Sequence, residues 1–304
     1  MAKTKVSNQA RHQAVTGWVF AAPFFALFCF VFMVPIGVSI YSAFFKLQAS
    51  GGGAYGGGEP QLNYVGFQNF VEAASNSAFW QGMLNVVLFG AFQIPIMIFG
   101  ALFLALLLDS YLVRKPGLWR LLYFLPYAVP GLIAAIMWVY MYVPEVSPFA
   151  GYLGSLGEYP FLLAPQTILF SMANMTTWTF MGYNMLIFLA ALQAIPHDLY
   201  EAARIDGASG WQITTKIKIP MVRGAALLAV LLSIIGTIQL FNEPTVLRTQ
   251  APWMTAEYTP MTMTFDVLYR LDGGAGPASA VSILMALIAG VLAVVYFMVQ
   301  RKVD

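Results

Sequence analysis

Six stretches of this chain carry no aspartate, glutamate, lysine or arginine, and each is about long enough to cross a lipid bilayer. They lie between Arg11 and Lys46, Glu72 and Asp109, Arg120 and Glu145, Glu158 and Asp198, Arg223 and Glu243, and Asp272 and Arg301. A helix rises about 1.5 Å per residue, so a hydrocarbon core of roughly 30 Å takes about 20 residues to span. Only 9% of the chain is charged and 60% is hydrophobic, against about 25% charged in a soluble domain. So few charges cannot coat a folded surface in water, which excludes a soluble enzyme and a disordered chain. A single cysteine, Cys29, excludes a disulfide framework and reads as a small core residue. The net charge of +2 leaves no footprint for nucleic acid. Because the stretches are apolar all round rather than alternating, they are helices and not strands of an outer-membrane barrel.

The expected fold is an all-α membrane protein with six transmembrane helices, over roughly 18–45, 83–108, 121–143, 166–192, 224–243 and 278–300. Residues 1–17 form a cytoplasmic segment and 18–304 a single transmembrane domain. Lysine and arginine set the orientation. Lys3, Lys5 and Arg11, then Arg114, Lys115 and Arg120, then Arg204, Lys216, Lys218 and Arg223, then Arg301 and Lys302 all fall on one side. Both termini are therefore expected in the cytoplasm, and the first span is too long for a cleaved signal peptide. The opposite side holds a glycine-rich loop, 51–58, and the aromatic groups Phe67, Phe70, Phe79 and Trp80, which read as an interfacial belt. A short helix is expected near Thr262–Leu271. No G-x-x-x-x-G-K-[ST] loop is present, and His12 and His197 stand apart, so ATP hydrolysis and metal chemistry have no seat in this chain.

The loop over 196–220 reads as two short helices at an angle. Asp198 with Glu201 and Ser209 with Gln212 have the spacing of capping boxes, Gly207 suits a left-handed turn, and Pro220 would stop the second helix. Small Ala202 and Ala203 beside Glu201 suit close approach by another protein. An amphipathic connector lying on lipid headgroups is the competing reading.

The spacing of this loop resembles the E-A-A-x₃-G-x₉-I-x-L-P motif of binding-protein-dependent ABC importer permeases. Glu201, Ala202, Ala203, Gly207, Ile217 and Pro220 fall on the pattern, with Ile219 in place of Leu. Pro23 and Pro35, the run Tyr64 to Phe70, and Leu122 to Pro126 are similar to the carbohydrate branch, in particular the first permease subunit of the maltose and glycerol-3-phosphate type. The resemblance implies a type I importer permease fold, in which the loop is a coupling helix docking in a cleft of a cytoplasmic ATPase. Glu201, Ala202, Ala203, Asp206 and Gly207 would then be the coupling residues. It further implies a second permease subunit, two copies of the ATPase carrying ATP and Mg, and an extracytoplasmic solute-binding protein, with no cofactor in this chain.

The spans offer polar but uncharged groups, which suit a neutral sugar held by aromatic faces and hydroxyl-matching side chains. The fourth span supplies Asn174, Thr176, Thr177, Trp178, Tyr183 and Asn184, and the fifth Ser233, Thr237, Gln239, Asn242 and Glu243. By resemblance, maltose-type permeases bind sugar on these two helices, and Trp178, Tyr183 and Ser233 fall at matching positions. At about 100° per residue, however, Trp178 lies roughly 140° from Tyr183, so both face one cavity only if the helix distorts near Gly182. Helix–helix packing competes with sugar contact for each of these residues, above all for the Ser233–Gly236–Thr237 stripe. Glu243, before Pro244, could face the solute, cap a helix break or meet a binding protein. The same architecture importing glycerol phosphate or a polyamine is the nearest alternative function. A secondary transporter or membrane-embedded enzyme is more remote, since no intramembrane carboxylate or histidine pair appears.

Overall fold

The computed structural model describes residues 8–49, 60–110, 113–154, 161–270 and 274–303; the glycine-rich loop 51–58, Lys3 and Lys5 lie outside them. Helix α1 (Asn8–Phe28) runs through a π turn, Cys29–Met33, into α2 (Val34–Ser42). Strands β1 (Phe45–Ala49) and β2 (Pro60–Tyr64) and helix α3 (Gln68–Ser75) follow. Next come α4 (Ser77–Leu108), α5 (Pro116–Phe124), α6 (Gly131–Tyr142), α7 (Ala150–Gly154) and α8 (Ile168–Gln193). The chain continues with α9 (His197–Ile205), α10 (Gly210–Ile213), α11 (Ile219–Met221), α12 (Arg223–Ile238), α13 (Asn242–Leu247), α14 (Pro260–Tyr269) and α15 (Ala275–Val303). Among the described residues, five helices are long and apolar enough to cross a membrane, or six if one sharply bent pair counts as one.

Two compact units divide the chain, one of residues 1–74 with 267–283, the other of 75–266 with 284–304. In the first, Phe45 does not end a transmembrane helix as expected. It opens an antiparallel hairpin in which Phe45 pairs with Tyr64 and Ala49 with Pro60. Alternation in Phe45-Lys46-Leu47-Gln48 is the signal that the charge count passed over. Asn69 is buried and donates to the carbonyls of Ala43 and Phe45. Lys46 donates to Glu72 at 2.7 Å, and this bond holds the Glu72 carboxyl below its usual range. Cys29 lies in the π turn and is exposed, not in a core.

The second unit is built on α4 and α8, which pack along most of their length. Ala101, Ala105 and Leu108 of α4 meet Met185, Phe188 and Leu192 of α8 in one apolar cluster. A second cluster joins Phe89, Ala135, Met172, Met175 and Leu247. Phe79, expected in an interfacial belt, is 1% exposed, whereas its neighbour Trp80 is exposed. Helix α4 starts at Ser77, before the expected Met83, because the Asn76 side chain accepts from Ala78 N–H and caps it.

Helix is interrupted within 116–142 and within 223–247, where single helices over 121–143 and 224–243 were expected. After α5 a 3₁₀ turn, Leu125–Ala128, ends at Val129, and α6 leaves at a bend of 95°. Pro130 accounts for the break, since a residue before proline is driven out of the helical region, and Val129 has ψ 129°. Helix α12 stops at Ile238 and α13 begins at Asn242. Pro244 then sits in the first turn of α13, where its missing N–H has no partner to lose.

Candidate functional site

The breaks bring polar side chains together. A cavity of about 350 Å³ is lined by Thr176, Tyr183 and Asn184 of α8, Ser233 and Thr237 of α12, and Gln239, Asn242 and Glu243 at the break after α12. Eight of the eleven side chains named on the two spans thus share one cavity. Asn174, Thr177 and Trp178 do not line it. Helix α8 stays regular through Gly182, and Trp178 turns away to meet Trp138 edge-on at 5.8 Å. Asn174 likewise donates to the Tyr142 hydroxyl, and Thr177 accepts weakly from Gln93 at 3.5 Å.

Gly182 shapes this wall in another way. A Cβ there would collide with the backbone of Tyr123 and Phe124, so the glycine lets the end of α5 lie directly on α8. That contact delivers Tyr127, just past α5, against Tyr183, with rings stacked at 4.7 Å and 17°. Tyr127, Gln93, Phe180, Phe89 and Met97 also line the cavity, and none was singled out from sequence. Gln93 is 1% exposed, the one amide between Val86 and Leu108, and that isolation was the available signal.

Glu243 is buried, and Thr176 Oγ1 lies 3.3 Å from its Oε1. No lysine, arginine or histidine is among the lining residues. Asn242 packs over Gly131 at the start of α6, where a Cβ would fall 2.7 Å from its Nδ2. Ser233 commits its proton to the Ala229 carbonyl at 2.7 Å, and Thr237 packs against Gly90 of α4. The small-residue stripe therefore serves packing and cavity lining at once. Among the described residues no group of His, Cys, Asp and Glu could hold a metal ion.

The loop over 196–220 is a helical hairpin. Gly207 has φ +79° and turns the chain between α9 and α10. Ser209 and Gln212 form the expected capping box, with bonds of 2.8 and 3.3 Å. Asp198 caps nothing. Pro196 occupies the N-cap position, leaving Asp198 in the first turn, where its charge still suits the helix dipole. Nor does Pro220 stop the helix. A π turn over Thr214–Lys218 passes the bond of Ile219 N–H back to Thr214, and helix runs on to Met221. The same device precedes Pro35, where Val34 N–H reaches Cys29. In both places five-residue bonding widens the turn ahead of the proline ring, whereas Pro23 and Pro95 are carried inside α1 and α4.

Glu201, Ala202, Asp206 and Gly207 are exposed, and Ala203 is half-buried. Two large apolar side chains stand out beside them, Ile205 at 86% and Trp211 at 76% exposure. Tyr200 faces inward, and burial, then the nearby Asp109 charge, pushes its hydroxyl pKa up.

Residues 101–304 match the family model described as the binding-protein-dependent transport system inner membrane component. The chain belongs to this family. Its members are the translocating membrane components of ABC importers and not the ATP-hydrolysing ones. The lactose transport system permease protein LacF of Rhizobium radiobacter is 32% identical, over 99% of both chains. The trehalose/maltose transport system permease protein MalF of Thermococcus litoralis is 31% identical, over 80% of this chain and 81% of its own. A bacterial ABC transporter involved in import of the acidic polysaccharide alginate has a chain of the same fold, at TM-score 0.75 and 20% identity, over 98% of this chain and 100% of that one. A second structure, that transporter with an alginate pentasaccharide-bound periplasmic protein, gives TM-score 0.70 at 18% identity. The family makes this chain an inner membrane component working with a binding protein, as the resemblance of its hairpin motif implied.

Proposed function

We propose that the chain forms half of the translocation path of an ATP-driven sugar importer, with a second permease subunit supplying the other half. The cavity carries this reading. Its lining combines stacked Tyr127 and Tyr183 with neutral donors and acceptors from Gln93, Thr176, Asn184, Gln239 and Asn242, the chemistry that matches a polyhydroxyl solute. Its volume of about 350 Å³ lies within the range of about 300–1,000 Å³ typical of small-molecule sites. A phosphorylated solute would call for a basic group at this depth, and the lining holds none. The sugar systems named for LacF and MalF agree.

Six spans, counting α5 and α6 as one, with both termini in the cytoplasm, put the basic connections on the inner side. The exposed face of the hairpin then docks on one of the two copies of a cytoplasmic ATPase, with Glu201 toward basic groups and Ile205 and Trp211 as apolar contacts. ATP-driven closure of the ATPase shifts the helices between inward-open and outward-open packings of similar energy. The test is ATP hydrolysis by the purified complex, stimulated by its binding protein loaded with each of a panel of mono- and disaccharides, polyamines and glycerol phosphate. Stimulation by a neutral sugar is expected. Stimulation by a polyamine or glycerol phosphate alone would overturn the assignment.

A further inference from the structure

Helix α4 ends in a charge of the wrong sign. Asp109 directly follows its last residue, where the helix dipole is already negative and a carboxylate is disfavoured. Lys218, from the end of the π turn in the hairpin, meets it at 2.6 Å, and the two side chains are only 17% and 16% exposed. So sheltered a pair loses much hydration and holds together only with good geometry. The Lys218 ammonium also lies 5.3 Å from the Tyr200 ring centroid. Tyr200, next to Glu201 in α9, is buried and presents its ring face to that ammonium. One lysine thus joins the end of α4 to both arms of the hairpin.

The far part of α4 carries Phe89, Gln93 and Met97 to the cavity wall. Between Met97 and Asp109 the helix is unbroken and seated on α8 through Ala101, Ala105 and Leu108. We propose that Asp109 and Lys218 are positioning residues forming a strut, by which hairpin and α4 move as one body and hairpin displacement reaches the cavity. Apolar contacts beneath the hairpin can slide past one another, whereas a charge-assisted hydrogen bond fixes distance and direction. The strut rests on the reading of the hairpin as the ATPase contact.

The test uses the whole importer in proteoliposomes, with sugar uptake and ATP hydrolysis measured in the same vesicles. Assembled Asp109→Asn and Lys218→Met complexes are expected to import less sugar per ATP by about fivefold or more, the low end of coupling between distant sites. Reversing the pair, Asp109→Lys with Lys218→Asp, is expected to restore the ratio. Single variants with the wild-type ratio overturn the strut. Should the single variants fail to assemble, the reversed pair alone decides, a wild-type ratio supporting the strut and any lower ratio or failed assembly overturning it. A wild-type complex without ATP-dependent uptake overturns the importer reading, and the strut with it. Coupled wild type beside equally coupled variants overturns the strut alone.

Discussion

Tyr183 and Trp178 sit five residues apart on one regular helix and do different work. Tyr183 stacks on Tyr127 at the cavity, while Trp178 packs edge-on against Trp138. Ring stacking contributes about 0.5–1.5 kcal/mol beyond area burial, and on the proposed reading removal of Tyr183 also deletes a face for sugar C–H groups. Tyr183→Ala is expected to raise the sugar concentration for half-maximal uptake by about tenfold. Trp178→Phe, which keeps an aromatic against Trp138, is expected to leave that concentration within about twofold. Dose–response curves for uptake check both, and equal effects would contradict the assignment. Helical periodicity alone separated these two residues. What it could not supply was Tyr127, because the contact between α5 and α8 depends on Gly182 and on a bend invisible to a charge count.

At the level of elements, long apolar helices were legible because lipid imposes one simple rule on them. Their breaks were not. Pro130 marks a break and Pro244 sits in a first helical turn, yet Pro220 and Pro35 follow π turns, and a single sequence gives proline the same face in each case. The hairpin Phe45–Ala49 with Pro60–Tyr64 was missed because Phe45 extends an apolar run. Local capping was readable where side chain and backbone alone decide it, as at Ser209 and Gln212, and misread at Asp198, where Pro196 takes the cap. Ser209→Ala removes one arm of the capping box, a loss of about 1 kcal/mol. Faster hydrogen exchange at the Gln212 and Ile213 amides, with α9 unchanged, is the expected result; unchanged exchange at Gln212 would mean that the box does not hold the turn.

For the whole molecule, the proposed function divides between a cavity among the apolar helices and a helical hairpin at their end. Eight polar residues picked for their chemistry meet in the cavity, because an apolar span gives a polar side chain few other places to go. The hairpin was legible for a different reason: its glycine turn and charged exposed face are local features that need no tertiary context. The tie between them, from Asp109 to Lys218, joins residues far apart in sequence and follows only from the packed structure. The most direct test of this division is sugar uptake by the reconstituted importer carrying Glu201→Ala. The chain is expected to insert and assemble normally while uptake falls about tenfold, as for loss of one charge-assisted contact. Wild-type uptake by an assembled Glu201→Ala complex would contradict the account.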